Sequence, residues 1–152
     1  LMISPVHKYI KDFANAGSDI ITIHPEATKD LKESIIHIKE LNKKVGVSLN
    51  PNTEINLIES HLNNIDLVLI MSVFPGFGGQ KFIPETLKKI KDLKKIKDKN
   101  NYSFDIEVDG GINFSNSKDI INAGANILVS GTTIFKENNG DIKKNIETLK
   151  SV

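Results

Sequence analysis

Short apolar runs alternate with segments of helical period along the whole chain, and this alternation restricts the fold more than any other feature. The runs are Asp19–His24 (DIITIH), Val45–Leu49, Asp66–Ile70 (DLVLI), Phe104–Val108 and Ile127–Ser130. They are aliphatic and β-branched rather than half-polar, as expected of strands covered on both faces. Between them, Leu31, Ile35, Ile38 and Leu41 mark a helix over Thr28–Lys43. Leu87, Ile90, Leu93 and Ile96 mark another, opened by Pro84, and Ile142, Ile146 and Leu149 mark the last, over Asp141–Leu149. Helices are also expected over Thr53–Leu62, Ser115–Ala123 and, as a short turn, Thr132–Phe135. At the start, Ser4 can cap and Pro5 can open a helix that ends at Ala16-Gly17. Leu1–Ile3 reads as the end of a further strand. The pattern predicts an α/β fold with a parallel sheet, and residues 1–152 as a single domain without a linker. Asn15-Ala-Gly-Ser-Asp-Ile-Ile and Asn122-Ala-Gly-Ala-Asn-Ile-Leu repeat one helix-to-strand turn. That echo is compatible with both a barrel and an open doubly wound sheet.

Composition narrows the chemistry. A formal net charge of +1 gives no general attraction for nucleic acid or membrane. The lysine-rich run Lys88–Lys99 reads as the solvated face of a surface helix. There is no cysteine, which removes disulfide and thiolate chemistry and suits a reducing cytoplasm. No apolar run approaches the ~20 residues of a membrane span, and no signal peptide is recognisable at the start.

Reactive groups in parallel α/β folds sit at the carboxyl ends of strands. The loop Pro75-Gly-Phe-Gly-Gly-Gln80 follows one such end, and its glycines let backbone N–H groups approach an anion. No strand–GxGxxG–helix order is present, so the loop is not a dinucleotide fingerprint. Asp109 ends the next strand and is followed by Gly110-Gly111; a carboxylate there either caps a turn or does proton or cation work. Gly131-Thr132 follows the last strand, and the two adjacent glycine ends suit a phosphate held by backbone N–H groups. His24 and Met71 end strands as well. His24 reads as a packing residue, and His7, His37 and His61 as surface residues on helices.

Two segments, Met71–Phe82 (MSVFPGFGGQKF) and Glu107–Asn113 (EVDGGIN), resemble the ribulose-phosphate 3-epimerase family, with Ile23–Ala27, Leu49–Thr53 and Val129–Phe135 in the same register. The resemblance covers almost the whole chain. It implies a (β/α)8 TIM barrel of which this chain holds strands four to eight and, at Leu1–Ile3, the end of the third; the first two strands are missing. It implies interconversion of ribulose and xylulose 5-phosphates. The C3 proton lies beside the C2 ketone, so its removal gives an enediolate that a divalent metal stabilises. Two carboxylates on opposite faces then exchange the proton, because one cannot easily reach both.

By position, the resemblance makes Asp109 both a catalytic acid/base and a metal ligand. It makes Gly76, Phe77, Gly78 and Gly79 a mobile substrate loop. Gly110, Gly111, Gly131 and Thr132 become a phosphate grip, the family commonly having Ser where Thr132 stands. Met2 and Met71 match methionines beside the metal and intermediate. The metal is one divalent ion (Zn, Fe, Mn or Co), and three of its four protein ligands are expected outside this chain, as is the second acid/base Asp. A homo-oligomer, no nucleic-acid partner and no membrane partner are implied. The alternatives are an epimerase for allulose 6-phosphate and a non-catalytic phosphate-binding half-barrel.

Overall fold

In a computed structural model, which describes residues 1–151, five strands form one wholly parallel sheet: β1 (Ile20–Ile23), β2 (Lys44–Leu49), β3 (Leu67–Met71), β4 (Asp105–Asp109) and β5 (Ile127–Val129). Their spatial order is their chain order. This resolves what the repeated turn left open. A doubly wound sheet reverses its strand order at a switch point, whereas a sequential order with right-handed crossovers carries every connecting helix on one face, as in a barrel wall.

Register and burial identify the two faces. On one lie Ile21, Ile23, Val45, Val47, Leu49, Val68, Ile70, Ile106 and Val108, each 2% exposed or less. The helices pack here. α2 (Leu31–Glu40) contributes Ile35 and Ile38, α4 (Thr86–Lys99) contributes Ile90 and Leu93, and α5 (Ser117–Ala123) contributes Ile120. The other face carries the alternate residues: Thr22, Gly46, Ser48, Leu69, Met71, Glu107, Asp109 and Val129. It is shallower and mixed in polarity, and reaches 37% exposure at Val129.

Boundaries depart from expectation where local polar chemistry intervenes. Asp30 caps α2 by accepting from the Glu33 N–H at 2.9 Å, so the helix starts three residues after Thr28, and Pro25–Ala27 forms a 3-10 turn. The segment expected as one helix over Thr53–Leu62 holds α3 (Asn56–Glu59) and a 3-10 turn at Leu62–Asn64. Ser4 supplies no cap: a 3-10 turn at Val6–Lys8 precedes α1 (Ile10–Asn15). Leu1–Ile3 is not a strand; the Leu1 nitrogen donates to the Thr22 carbonyl at the edge of β1, and the Leu1 side chain packs against the core. The short α6 (Thr132–Lys136) and the closing α7 (Ile142–Lys150), capped by Asp141, form as expected. Among the described residues no helix is long and apolar enough to cross a membrane.

Gly46 is required by its neighbour strand. A Cβ there would lie 2.2 Å from Thr22 Oγ1 and 2.9 Å from Thr22 Cβ. Gly46→Ala gains backbone rigidity but overpacks the shallow face, for a net loss on the order of 1 kcal/mol. A lower urea midpoint is the expected result, and an unchanged or higher midpoint contradicts the packing argument.

Candidate functional site

Asp109 is the last residue of β4, paired in register with Met71 of β3. The chain directly after β3 locks this end in place. Ser72 is fully buried; its N–H donates to the Asp109 carbonyl at 2.8 Å, and its Oγ reaches the carbonyls of Asp109 (2.9 Å) and Gly110 (2.7 Å). The Ser72 carbonyl accepts from Ile83 N–H at 2.9 Å, which closes the glycine-rich loop back on itself. Asp109 therefore projects from a backbone fastened on the side of the neighbouring strand.

The adjacent glycines are there because neighbours leave no room. Gly110 has φ +126° and faces Val73, whose Cγ2 would lie 2.7 Å from a Cβ. Gly111 has φ +63°, and a Cβ would meet the Phe82 nitrogen at 2.3 Å and the Gln80 carbonyl oxygen at 2.8 Å. The returning arm of the loop thus lies directly on Gly111. Beyond it, the Ile112 carbonyl accepts from Ser130 Oγ (2.8 Å) and Thr133 Oγ1 (2.7 Å), which ties the end of β5 and the start of α6 to β4.

The loop brings its far end to the same place. A Cβ on Gly79 would stand 3.8 Å from Thr132 Oγ1, so the glycine loop and the β5 end are neighbours. Gly76, Phe77 and Gly78 form the exposed tip, with Phe77 77% exposed, and Gly131 is exposed as well. Gln80, which the sequence did not single out, braces the loop from within: its Nε2 donates to the carbonyls of Phe74 (2.8 Å) and Phe77 (3.0 Å). Met71 is half-buried beside Asp109. Met2, 68% exposed, lines a cleft with His24, Glu26, Asn50 and Pro75. His24 is buried, as a packing residue would be, and also borders that cleft.

Burial pushes the Asp109 carboxyl above the ordinary Asp range. Glu107, two residues earlier and on the same face, is pushed up by burial and then by the Asp109 charge. The pair is thus an acidic spot on the shallow face with a heightened hold on protons. Among the described residues no three His, Cys, Asp or Glu side chains gather into a metal site, so Asp109 is a single carboxylate donor here and does not complete a divalent-ion site by itself.

Comparison with known proteins agrees with this geometry. The family model described as "Ribulose-phosphate 3 epimerase family" matches residues 1–135. The ribulose-phosphate 3-epimerase of Escherichia coli K12 is 40% identical over 151 residues, covering 99% of this chain and 66% of that protein. That of Bacillus subtilis is 46% identical, covering 99% and 69%, and that of Synechocystis 47% identical, covering 91% and 61%. The chain thus spans about two thirds of the length of these relatives or slightly less. KGPDC from Streptococcus mutans has a TM-score of 0.68 at 19% identity, covering 95% of this chain and 66% of its own. The 3-hexulose-6-phosphate synthase of Salmonella typhimurium has 0.65 at 21%, covering 99% and 70%. At those identities the structures speak to the fold alone. With the acidic end of β4, the glycine ends beside it and a match over most of the sequence, the chain belongs to the ribulose-phosphate 3-epimerase family.

Proposed function

We propose that a protein carrying this chain interconverts D-ribulose 5-phosphate and D-xylulose 5-phosphate by moving the proton on C3. The observation that carries the reading is Asp109: a half-buried carboxylate at a strand's carboxyl end, on the face the helices leave free, with its proton affinity raised by burial. A base abstracting a carbon-bound proton works best when its pKa is nearer the working pH than an ordinary Asp, and burial moves it that way. On this reading β1–β5 take the places of strands four to eight of the family's eight-stranded barrel.

Asp109 removes or returns the proton on one face of the enediolate. The N–H groups of Gly110, Gly111, Gly131 and Thr132 hold the phosphate, and the loop Gly76–Gly79 folds over the sugar and excludes water. Met71, level with Asp109, supplies an apolar wall beside the reacting carbon. Glu107 sits one layer below Asp109 on the same face, so it does not serve the opposite face of the same substrate carbon. The family generally uses a divalent metal. Asp109 would be one ligand to it, and the ion would supply stabilisation of negative charge on the substrate oxygens.

Replacing Asp109 by Asn removes the proton carrier while keeping the shape. Epimerisation falls by several orders of magnitude in the full enzyme, read by following xylulose 5-phosphate formation; near-normal turnover contradicts the role. A second outcome follows from Glu107. The fold raises its pKa, so its protonated form is favoured by folding. That contribution is fully present below the ordinary Glu value of about 4.3 and is lost as pH rises through the raised folded value. At pH 7 the buried charge is a cost, and Glu107→Gln stabilises the protein by on the order of 1 kcal/mol, a gain that vanishes near pH 4. Denaturant melts at the two pH values test this; equal or lower stability of the variant at pH 7 refutes it.

A further inference from the structure

The carboxyl ends of β1 and β2 hold a second polar construction that the proton-transfer account leaves unused. Lys89 belongs to the lysine-rich α4, yet its ammonium turns inward. It donates to the carbonyls of Asn50 (2.9 Å), Pro51 (2.7 Å) and Thr53 (2.8 Å). That strap holds the loop after β2 so that Asn50 Nδ2 (3.2 Å) and Thr53 Oγ1 both donate to Glu26 Oε1. The other Glu26 oxygen stands 3.9 Å from His24 Nδ1. His24 itself is 9% exposed and lines a cleft of about 230 Å³ with Glu26, Asn50, Met2, Ser4 and Pro75.

Lys89 and Thr53 spend their donors within this construction, while two acceptors, His24 Nε2 and Asn50 Oδ1, are left over. Burial raises the Glu26 carboxyl, but the hydrogen bonds from Thr53, its own backbone and Asn50 outweigh this and hold it below the ordinary Glu value, so it is ionised. Burial lowers His24 against the opposing pull of Glu26, so the ring is neutral at pH 7. A carboxylate on the Nδ1 side favours the proton there and leaves Nε2 as an acceptor. Among the described residues nothing donates to it. Asn50 Oδ1 is buried without a partner. An acceptor-lined cleft repels phosphate and suits a ligand rich in hydroxyl donors. Continuing the β2–β3 and β3–β4 register by one step places Asn50 level with Met71 and Asp109 on the same face. Pro75, on the cleft wall, begins the loop whose other end meets Thr132.

We propose that this cleft is a hydroxyl-binding subsite, in which His24 Nε2 and Asn50 Oδ1 accept hydrogen bonds from the hydroxyls of a sugar-phosphate chain. Glu26 and Lys89 are positioning residues that act through His24 and Asn50. The proposal rests on the sugar-phosphate reading of the site given above.

The test is an NMR titration of the unaltered full enzyme. His24 ring nitrogens are followed together with the amides of Gly110, Gly111 and Thr132, with D-ribulose 5-phosphate in one arm and inorganic phosphate in the other. The amides move in both arms and His24 Nε2 moves only with the sugar phosphate. Amides that move while His24 stays still under the sugar phosphate overturn the subsite alone, as does a His24 that responds equally to inorganic phosphate. If no signal moves in either arm, the sugar-phosphate reading fails and the subsite falls with it. His24→Leu then weakens D-ribulose 5-phosphate binding about tenfold, the loss of roughly one hydrogen bond, and leaves inorganic phosphate binding unchanged. Equal weakening of both ligands, or of neither, refutes the assignment.

Discussion

Five parallel strands joined in sequential order by right-handed crossovers carry their helices on one face, and everything else in this chain follows from that asymmetry. The covered face takes the fully buried aliphatic residues, Val45, Val47, Val68, Ile70, Ile106 and Val108 among them. The other face is free of helices, so Thr22, Ser48, Glu107 and Asp109 can occupy strand positions that a sheet covered on both sides would reserve for Val or Ile. The desolvation that Asp109 and Glu107 feel is partial for the same reason: deep enough to raise their proton affinity, shallow enough to leave Asp109 within reach of a ligand.

The strand ends are then joined to one another by side chains bonded to backbone. Ser72 ties β3 to the Asp109-Gly110 carbonyls, Ser130 and Thr133 converge on the Ile112 carbonyl, and Lys89 straps the loop after β2. Each of these bonds satisfies carbonyls at or just past the strand ends, and each restrains the loop that follows. The tip of the glycine loop, Gly76–Gly78, is exposed, and Gln80 braces it through the Phe74 and Phe77 carbonyls.

Much of this was legible in the sequence. Hydrophobic runs located all five strands to within a residue or two, because both the core face and the strand length are written in consecutive aliphatic residues. Asp109 stood out as a charge at a strand end, and the glycines beside it for their lack of a Cβ. What was hidden depended on partners distant in sequence. Helix period alone extended α2 back to Thr28, since it does not register that Asp30 caps and resets the start. Lys89 is indistinguishable from its solvated neighbours until α4 is packed beside the β2 end. Leu1–Ile3 has strand composition but forms no strand. The winding of the sheet required the spatial strand order, which a repeated turn does not contain.

The central claim is that the acidic end of β4 takes part in moving a proton at C3 between two faces of a pentulose phosphate. It is tested most directly by running the reaction of the full enzyme in deuterium oxide and reading C3 by proton NMR. A two-carboxylate exchange delivers a solvent-equilibrated proton, so xylulose 5-phosphate forms with deuterium at C3 and its C3 proton signal is absent. Xylulose 5-phosphate that keeps the original C3 proton in full, or no conversion at all, would contradict the account.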